Sequence, residues 1–260
     1  MKLKWYGTAT VLIDQDNTQL LFDPFFPLNK KNFAPPIGEL SLAEYILVTH
    51  GHFDHVTGIP SIFTQEHNKA KVFCTAAPRE SLIKKDVPQE RIHKITSGGI
   101  LNLGPFEVRV LKGRHIVFNM RLILKKLFNP RWLFSLKKLT HILKENKICR
   151  ENGETVIYDI SVSSKRILLP GSMGLDKNTD YPKGADLLIL PFQGRSDIGK
   201  YAMRFIERLQ PKKVLLTHFD NSFPPVSSLV KTESFIADMR RKFPDIPVIC
   251  QEPSAEWIDI

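Results

Sequence analysis

The stretch His50-Gly51-His52-Phe53-Asp54-His55 places three imidazoles and one carboxylate within six positions of the chain. It directly follows Tyr45-Ile46-Leu47-Val48-Thr49, an apolar run whose length and composition predict a buried strand. In extended backbone, alternate side chains share a face, so the first two histidines and the aspartate are predicted to converge, with His55 serving a second ion beside the first. In an apolar core each of these side chains would need its own buried partner, so we interpret them as metal ligands.

Nitrogen and oxygen donors of this kind suit zinc, with manganese or iron as alternatives. The stretch resembles the His-x-His-x-Asp-His signature of the metallo-β-lactamase-fold hydrolases. That resemblance implies an α/β fold, a four-layer αββα sandwich of two mixed β-sheets flanked by helices. It also implies two adjacent metal ions, held by the signature and by three later side chains, and a single domain over residues 1–260.

Two later histidines follow predicted strands, where the resemblance places further ligands. His115 comes just after the predicted strand 106–112 and a glycine, and it is the candidate third ligand of the first ion. His218 follows the predicted strand 213–217 in a context that parallels the residues before His50. It is the candidate last ligand, on the second ion.

The bridging position departs from the family pattern. Where the family carries Gly-Asp, this chain has Gly171-Ser172, and a hydroxyl is a far weaker ligand that brings no negative charge. Three alternatives stay open: Asp176 reaches back, the second ion binds weakly, or the site works with one metal. We therefore predict one or two divalent ions, with Ser172 at the remaining ligand position.

The resemblance implies a hydrolase whose metal-activated water attacks an ester, lactone or phosphodiester bond, with Asp54 both binding the ion and orienting that water. The opening Trp5-Tyr6-Gly7-Thr8-Ala9-Thr10 and the strand end Leu21-Phe22-Asp23-Pro24 look most like the L-ascorbate-6-phosphate lactonase-like branch. Asp23 has either a structural or a catalytic role. Arg195 is a candidate for binding an anionic substrate group. The alternative function, motivated by the serine at the bridging position, is a degenerate metal-binding or membrane-surface module with little or no turnover.

Composition places the chain among soluble globular proteins. It has 260 residues, of which 42% are hydrophobic and 25% charged. We find no signal peptide at the N-terminus and no apolar run of about eighteen residues that could span a bilayer. The three cysteines are isolated, which predicts free thiols rather than a disulfide framework. These features predict a cytoplasmic protein.

The formal net charge of +10 is concentrated in residues 117–150, which contain nine Lys or Arg and one acidic residue, a net 9 − 1 = +8. Apolar and aromatic residues interleave with these cations, and Asn129-Pro130 is predicted to divide a helical insert into two helices. Either the apolar side packs on the domain, or it meets lipid while the cations meet anionic headgroups. The predicted partners are an anionic small-molecule or lipid-like substrate and an anionic membrane surface. Nucleic acid is not expected, because the apolar residues are too numerous.

Overall fold

The computed structural model of the chain describes residues 1–66, 68–117, 136–150 and 153–260. The strands are β1 Lys2–Gly7, β2 Thr10–Gln15, β3 Thr18–Phe22, β4 Tyr45–Leu47, β5 Lys71–Cys74, β6 Ile92–Lys94, β7 Ile100–Leu103, β8 Phe106–Arg114, β9 Val156–Val162, β10 Lys165–Pro170, β11 Gly174–Leu175, β12 Leu187–Pro191, β13 Val214–Thr217, β14 Val248–Ile249 and β15 Ile258–Asp259. The helices are α1 Ile37–Leu40, α2 Phe53–Val56, α3 Ile59–Phe63, α4 Ala76–Ile83, α5 Leu136–Ile148, α6 Ile198–Leu209 and α7 Glu233–Lys242, with a 3-10 turn at Gln89–Arg91. No helix within these ranges is long and apolar enough to cross a membrane.

The strands form two mixed β-sheets. The first has seven strands in the order β15-β1-β2-β3-β4-β5-β6, antiparallel through β3 and parallel from β3 to β6. The second has eight, in the order β11-β8-β9-β10-β12-β13-β14 with β7 paired to β8, and its strands from β10 to β14 are parallel. Helices flank the two sheets, so the predicted fold class is confirmed.

Alternation along the strands decides which side chains lie between the sheets. Trp5 belongs to the core cluster shared by both sheets, whereas its neighbour Tyr6 packs in the cluster beneath the helices of the first sheet. Across the inter-sheet core, the rings of Phe22 and Tyr158 have centroids 5.7 Å apart. The Tyr158 hydroxyl also donates a hydrogen bond to the Val48 carbonyl at 2.7 Å. This packing fixes β4 of the first sheet against β9 of the second.

Strand ends of both sheets meet at one edge of the sandwich. The backbone N–H of Val156 donates to the Thr49 carbonyl at 3.0 Å, which joins the chain after β4 to β9. A Cβ added at Gly171, just after β10, would lie 2.0 Å from the Thr49 side chain. Glycine is therefore required at this crossing. The residues that follow β4, β8, β10 and β13 are consequently neighbours.

Most predicted elements are confirmed, and the differences have local causes. The sequence predicts a helix over about residues 226–242, whereas helix α7 of the structure is shorter and begins at Glu233. Before it, the Ser227 hydroxyl accepts the backbone N–H of Phe223 at 2.8 Å and stabilises a turn instead. The two-residue strand β15 was not predicted, because so short a segment has no readable alternation. The second half of the predicted insert forms α5, while the break at Asn129-Pro130 lies outside the described residues.

Candidate metal centre

Two groups of three potential ligand atoms line one pocket of about 250 Å³. Within each group, the atoms all lie within 4.8 Å of one another. The first group has three imidazoles, and the second has one carboxylate and two imidazoles: His50, His52 and His115, and then Asp54, His55 and His218. The structure thus brings together all the predicted histidine and aspartate ligands.

The division between the groups is set by α2. The prediction that the first two histidines converge with Asp54 is wrong, because extended backbone ends at His52 and the helix begins at Phe53. The helical turn instead places Asp54 and His55 beside His218, whose Nε2 lies 3.2 Å from the Asp54 carboxylate. The prediction of two adjacent sets of ligands is retained, but Asp54 belongs to the second set instead of the first.

A buried carboxylate outside both groups orients His55. Asp23, fully buried at the end of β3, has its Oδ2 2.8 Å from Nδ1 of His55. The same carboxylate accepts the backbone N–H of Thr49 at 2.8 Å and the Thr49 hydroxyl at 2.7 Å. A carboxylate at Nδ1 keeps the proton there and leaves Nε2 as the free ligand atom. Of the two roles considered for Asp23, the structure favours the positioning of a neighbouring side chain.

Two further histidines have contacts that fix their rings. The Thr49 hydroxyl lies 3.0 Å from Nδ1 of His50, and Nδ1 of His115 lies 2.9 Å from the Ile116 carbonyl. A carbonyl accepts only, so Nδ1 of His115 donates, and Nε2 is the atom that this histidine can offer to an ion. These are the outer contacts that metal-binding histidines ordinarily have.

The loop of the last histidine is tied to the N-terminal strands by Asp220. This buried carboxylate accepts the backbone N–H of Thr8 at 2.9 Å and the side-chain amide of Asn32 at 3.2 Å. Ser222 donates its hydroxyl to the same carboxylate. The bonds hold a backbone in which His218 takes a left-handed φ of 60°, a conformation that needs support in a residue other than glycine. Sequence reasoning missed Asp220, although it lies two positions after a predicted ligand.

The electrostatics favour the cation-binding protonation states of His50 and Asp54, whereas His218 would have to lose a proton to bind an ion. Burial, and then the neighbouring imidazoles of His55 and His52, hold the pKa of His50 well below its usual value. Burial raises the pKa of Asp54, but the imidazoles of His55 and His218 outweigh it and hold this pKa well below its ordinary value. Burial lowers the pKa of His218, yet its hydrogen bond with Asp54 leaves the pKa raised overall. At neutral pH the Asp54 carboxylate is therefore ionised and the His50 imidazole neutral, as metal binding requires.

At the bridging position, the hydroxyl of Ser172 accepts the backbone N–H of Ile116 at 3.0 Å and lines the pocket. The structure does not support the alternative in which Asp176 reaches back. Its carboxylate accepts Nε of Arg114 at 2.7 Å and the backbone N–H of Asn178 at 2.9 Å instead. Serine is thus the residue that faces the two ligand groups here.

Arg195 makes contacts outside the pocket. Its guanidinium binds the Asp197 carboxylate at 2.7 Å, donates to the Val117 carbonyl at 2.9 Å and lies 4.9 Å from the ring centroid of Tyr201. The pocket wall includes the preceding Gly194. Substrate binding by Arg195 therefore stays a prediction, and its described contacts are with the protein.

The rest of the pocket wall is mainly apolar, with a few amides. The apolar side chains come from five segments of the chain: Phe53, Ile116, Met173, Pro191, and Phe223 with Val226. Asn146 of α5 and Gln193, which follows β12, add side-chain amides. One end of the pocket can therefore hold cations, while the remainder suits an apolar group with a few hydrogen-bonding atoms.

The residues present fit divalent metal ions. Each group offers three nitrogen or oxygen donors at mutual distances that one ion can satisfy, and outer contacts already orient several of the rings. The second group also supplies a negative charge, from Asp54. A donor set of this kind suits zinc, manganese or iron.

The chain is similar in sequence to known proteins. The model of the beta-lactamase superfamily domain matches residues 2–218. A UPF0173 metal-dependent hydrolase from Archaeoglobus fulgidus is 32% identical over 264 residues, which cover 99% of this chain and 98% of that protein. Another, from Carboxydothermus hydrogenoformans, is 26% identical over 233 residues, or 88% of each chain.

Two solved structures have the same fold. The metallo hydrolase Igni18 from Ignicoccus hospitalis superposes with a TM-score of 0.65 at 16% identity, covering 100% of this chain and 98% of that one. The isothiocyanate hydrolase from Delia radicum gut bacteria gives 0.62 at 13% identity, covering 100% and 99%. At these identities the likeness concerns the fold alone.

Proposed function

The chain belongs to the beta-lactamase superfamily and is a metal-dependent hydrolase, and we propose that it cleaves an ester, lactone or phosphodiester bond of an anionic substrate. The observation that supports this proposal is the shared pocket, since both ligand groups line the same cavity of about 250 Å³. A bound cation and the bond to be cleaved would therefore be neighbours in one partly apolar space.

We assign the two ligand groups to one or two divalent ions, with zinc first and manganese or iron as alternatives. The first group would hold one ion through three imidazoles, and the second would hold the other through Asp54, His55 and His218. When bound, such an ion supplies Lewis-acid chemistry, which activates water and stabilises negative charge on the substrate oxygen. Ser172 faces both groups in place of a bridging carboxylate.

The protein side chains would orient the reactants. The ionised Asp54 carboxylate accepts a hydrogen bond from the attacking water and directs it at the scissile bond, the catalytic role we give this residue. His218 Nε2 lies 3.2 Å from that carboxylate, a separation at which one ion would contact both side chains. Phe53 and Phe223, with ring centroids 5.1 Å apart, form a wall that limits the access of bulk water.

Charge supports an anionic substrate. The chain has a formal net charge of +10, and Lys137, Lys144 and Lys147 are exposed on α5, the helix that also contributes Asn146 to the pocket wall. A positive field at a pocket raises the local concentration of anions and their rate of association. The apolar wall would accept a lipophilic part of the same molecule, so a lipid-like anion fits both features.

The test combines metal analysis with a substrate panel. Protein purified without chelators is analysed for metal per chain, and hydrolysis of bis-p-nitrophenyl phosphate, p-nitrophenyl esters with and without a carboxylate, and a phosphorylated lactone is then measured. We expect turnover on at least one anionic substrate and a loss of at least about 100-fold in kcat/KM for Asp54→Asn. His93→Asn is the matched control, because this histidine is exposed and stacks on Phe73 outside both ligand groups.

Two outcomes would contradict the proposal. A metal-loaded wild-type protein that hydrolyses no member of the panel would favour the alternative of a binding module with little or no turnover. Equal losses in Asp54→Asn and His93→Asn would show that the pocket is not the site of the reaction.

A further inference from the structure

The helix α5 packs on the body of the protein through one face. Ile142 lies on this face and Cys149 directly follows the helix, and both are 1% exposed. Between them, the Glu145 carboxylate binds Nζ of Lys85 at 2.6 Å. Spacings of three and four residues put these side chains on one side of the helix. That side is held by buried and paired contacts, so the orientation of α5 is fixed.

A second face of α5 borders the pocket. Asn146 and Lys147 lie about one turn after Leu143 on α5, Arg150 lies two residues past the end of the helix, and Asn146 lines the pocket wall. Leu143 lies one turn before Asn146 and is 59% exposed. Lys147 and Arg150 are exposed as well. The helix and the residues just after it therefore carry an exposed apolar side chain and two cations close in sequence to Asn146 of the pocket wall.

Two other segments also carry exposed apolar side chains next to residues of the pocket wall. Val117 is 74% exposed and directly follows Ile116 of the pocket wall. Leu229 is 65% exposed and follows Ser228, whose carbonyl accepts the side-chain amide of Gln193, another residue of the wall. Three exposed apolar side chains thus come from three segments that each border the cavity.

We propose that this rim, defined as Val117, Leu143, Leu229, Lys147 and Arg150, docks on an anionic lipid surface and opens the pocket toward it. Apolar side chains beside cations are the combination that an interface of acyl chains and anionic headgroups accommodates. Docking itself does not depend on the proposed function; only cleavage of the substrate in the lipid-facing pocket rests on that function.

A lipid surface fits the rim better than nucleic acid does. A phosphate backbone binds cations and hydrogen-bond donors favourably, but it makes no favourable contact with exposed leucine or valine side chains. In contrast, an anionic bilayer binds both kinds of side chain favourably, since branched apolar groups enter the interface while Lys and Arg contact the headgroups. The three apolar side chains of the rim therefore decide between the two classes of partner.

The experiment is co-sedimentation of the full metal-loaded chain with vesicles of phosphatidylglycerol and phosphatidylcholine, and with vesicles of phosphatidylcholine alone. We expect retention on the anionic vesicles that weakens as salt rises. Each rim cation should strengthen binding to the anionic surface. The double variant Lys147→Gln/Arg150→Gln should therefore have a partition coefficient roughly 30-fold lower than the wild type. Leu143→Ser should reduce partition at high salt as well, because it removes apolar insertion and no charge.

The matched control is Arg240→Gln/Arg241→Gln, which removes the same charge from the exposed end of α7. Failure of the wild-type protein to bind anionic vesicles at low salt overturns the proposal, as does an equal loss in the α7 control. Binding to a DNA duplex without binding to vesicles also overturns it and assigns the cations to nucleic acid.

Docking and hydrolysis fail separately in this design. Turnover of a soluble substrate without vesicles should stay at the wild-type level in the Leu143→Ser variant, since Leu143 carries no charge and does not line the pocket among the described residues. Hydrolysis without vesicle binding would refute docking alone. Vesicle binding without any hydrolysis would refute the proposed function and leave docking in place.

Discussion

Replacing Asp23 with asparagine tests how strongly the ligand groups depend on a carboxylate outside them. Its Oδ1 accepts the backbone N–H of Thr49 at 2.8 Å. Its Oδ2 accepts the Thr49 hydroxyl at 2.7 Å and lies 2.8 Å from Nδ1 of His55. Asparagine has nearly the same shape, but it puts an N–H donor where one of these two oxygens stands.

Either orientation of the asparagine amide leaves a defect. With its oxygen at the Oδ2 position, the amide N–H₂ faces the backbone N–H of Thr49, and a buried donor loses its acceptor at a cost of about 1–3 kcal/mol. With its oxygen at the Oδ1 position, the N–H₂ faces Nδ1 of His55, and the proton of the imidazole moves to Nε2, the atom that should bind an ion. Loss of such an outer contact costs about 10- to 100-fold in metal affinity.

The assay for Asp23→Asn is zinc affinity by competition with a chromogenic chelator, together with the Tm of the metal-free protein. We expect zinc affinity to fall by about 10- to 100-fold in either orientation, because the negative charge beside Nδ1 of His55 is lost, and Tm to fall where the Thr49 N–H loses its acceptor. The control is Asp159→Asn, because Asp159 on β9 is also buried but lies outside both ligand groups and contacts Arg166 instead of a histidine. Zinc affinity of Asp23→Asn within twofold of the wild type would refute the orienting role. An equal loss of affinity in Asp159→Asn would make the effect nonspecific.

Three further predictions concern the same edge and the thiols. Gly171→Ala should lower Tm, with an overpacking cost of about 1–3 kcal/mol, because its Cβ would lie 2.0 Å from the Thr49 side chain. The control Gly38→Ala should leave Tm unchanged, because no atom lies within 4 Å of the added Cβ. Ser172→Asp should raise the metal retained per chain after dialysis against a weak chelator, since it adds a charged ligand, and unchanged retention contradicts this. In the folded chain, a thiol reagent should modify the partly buried Cys250 and spare the other two until denaturant is added. Burial raises the pKa of the Cys74 thiol to about 12 and that of the Cys149 thiol to about 11.

The ligand side chains could be predicted because they are local to strand ends. His115 directly follows β8 and His218 directly follows β13, so the apolar run before each histidine indicates where it will emerge. The start of α2 could not be predicted, because this four-residue helix has no side-chain cap at His52. That single turn changed the partners of Asp54. Local patterns thus identified the ligand residues, while a short helix decided their grouping.

The supporting carboxylates could not be found from local patterns, because their partners are distant in sequence. Asp23 binds side chains 26 and 32 positions later, and Asp220 binds the backbone of Thr8 from 212 positions away. No periodicity or spacing links such residues before the strands are paired and packed. In the described structure, Asp23 joins the ends of the neighbouring strands β3 and β4 of the first sheet, and Asp220 joins the end of β13 in the second sheet to the first.

The substitution of serine for a bridging carboxylate changes the charge balance of the pocket. Of the described side chains that line it, Asp54 is the sole carboxylate, and the Ser172 hydroxyl is engaged by the backbone N–H of Ile116. Two divalent cations would carry four positive charges against that single negative one. Because uncompensated charges in a partly buried site are costly, an anionic substrate group would be stabilised there more than a neutral one. The serine therefore links the departure from the family pattern to the anionic substrate that we propose.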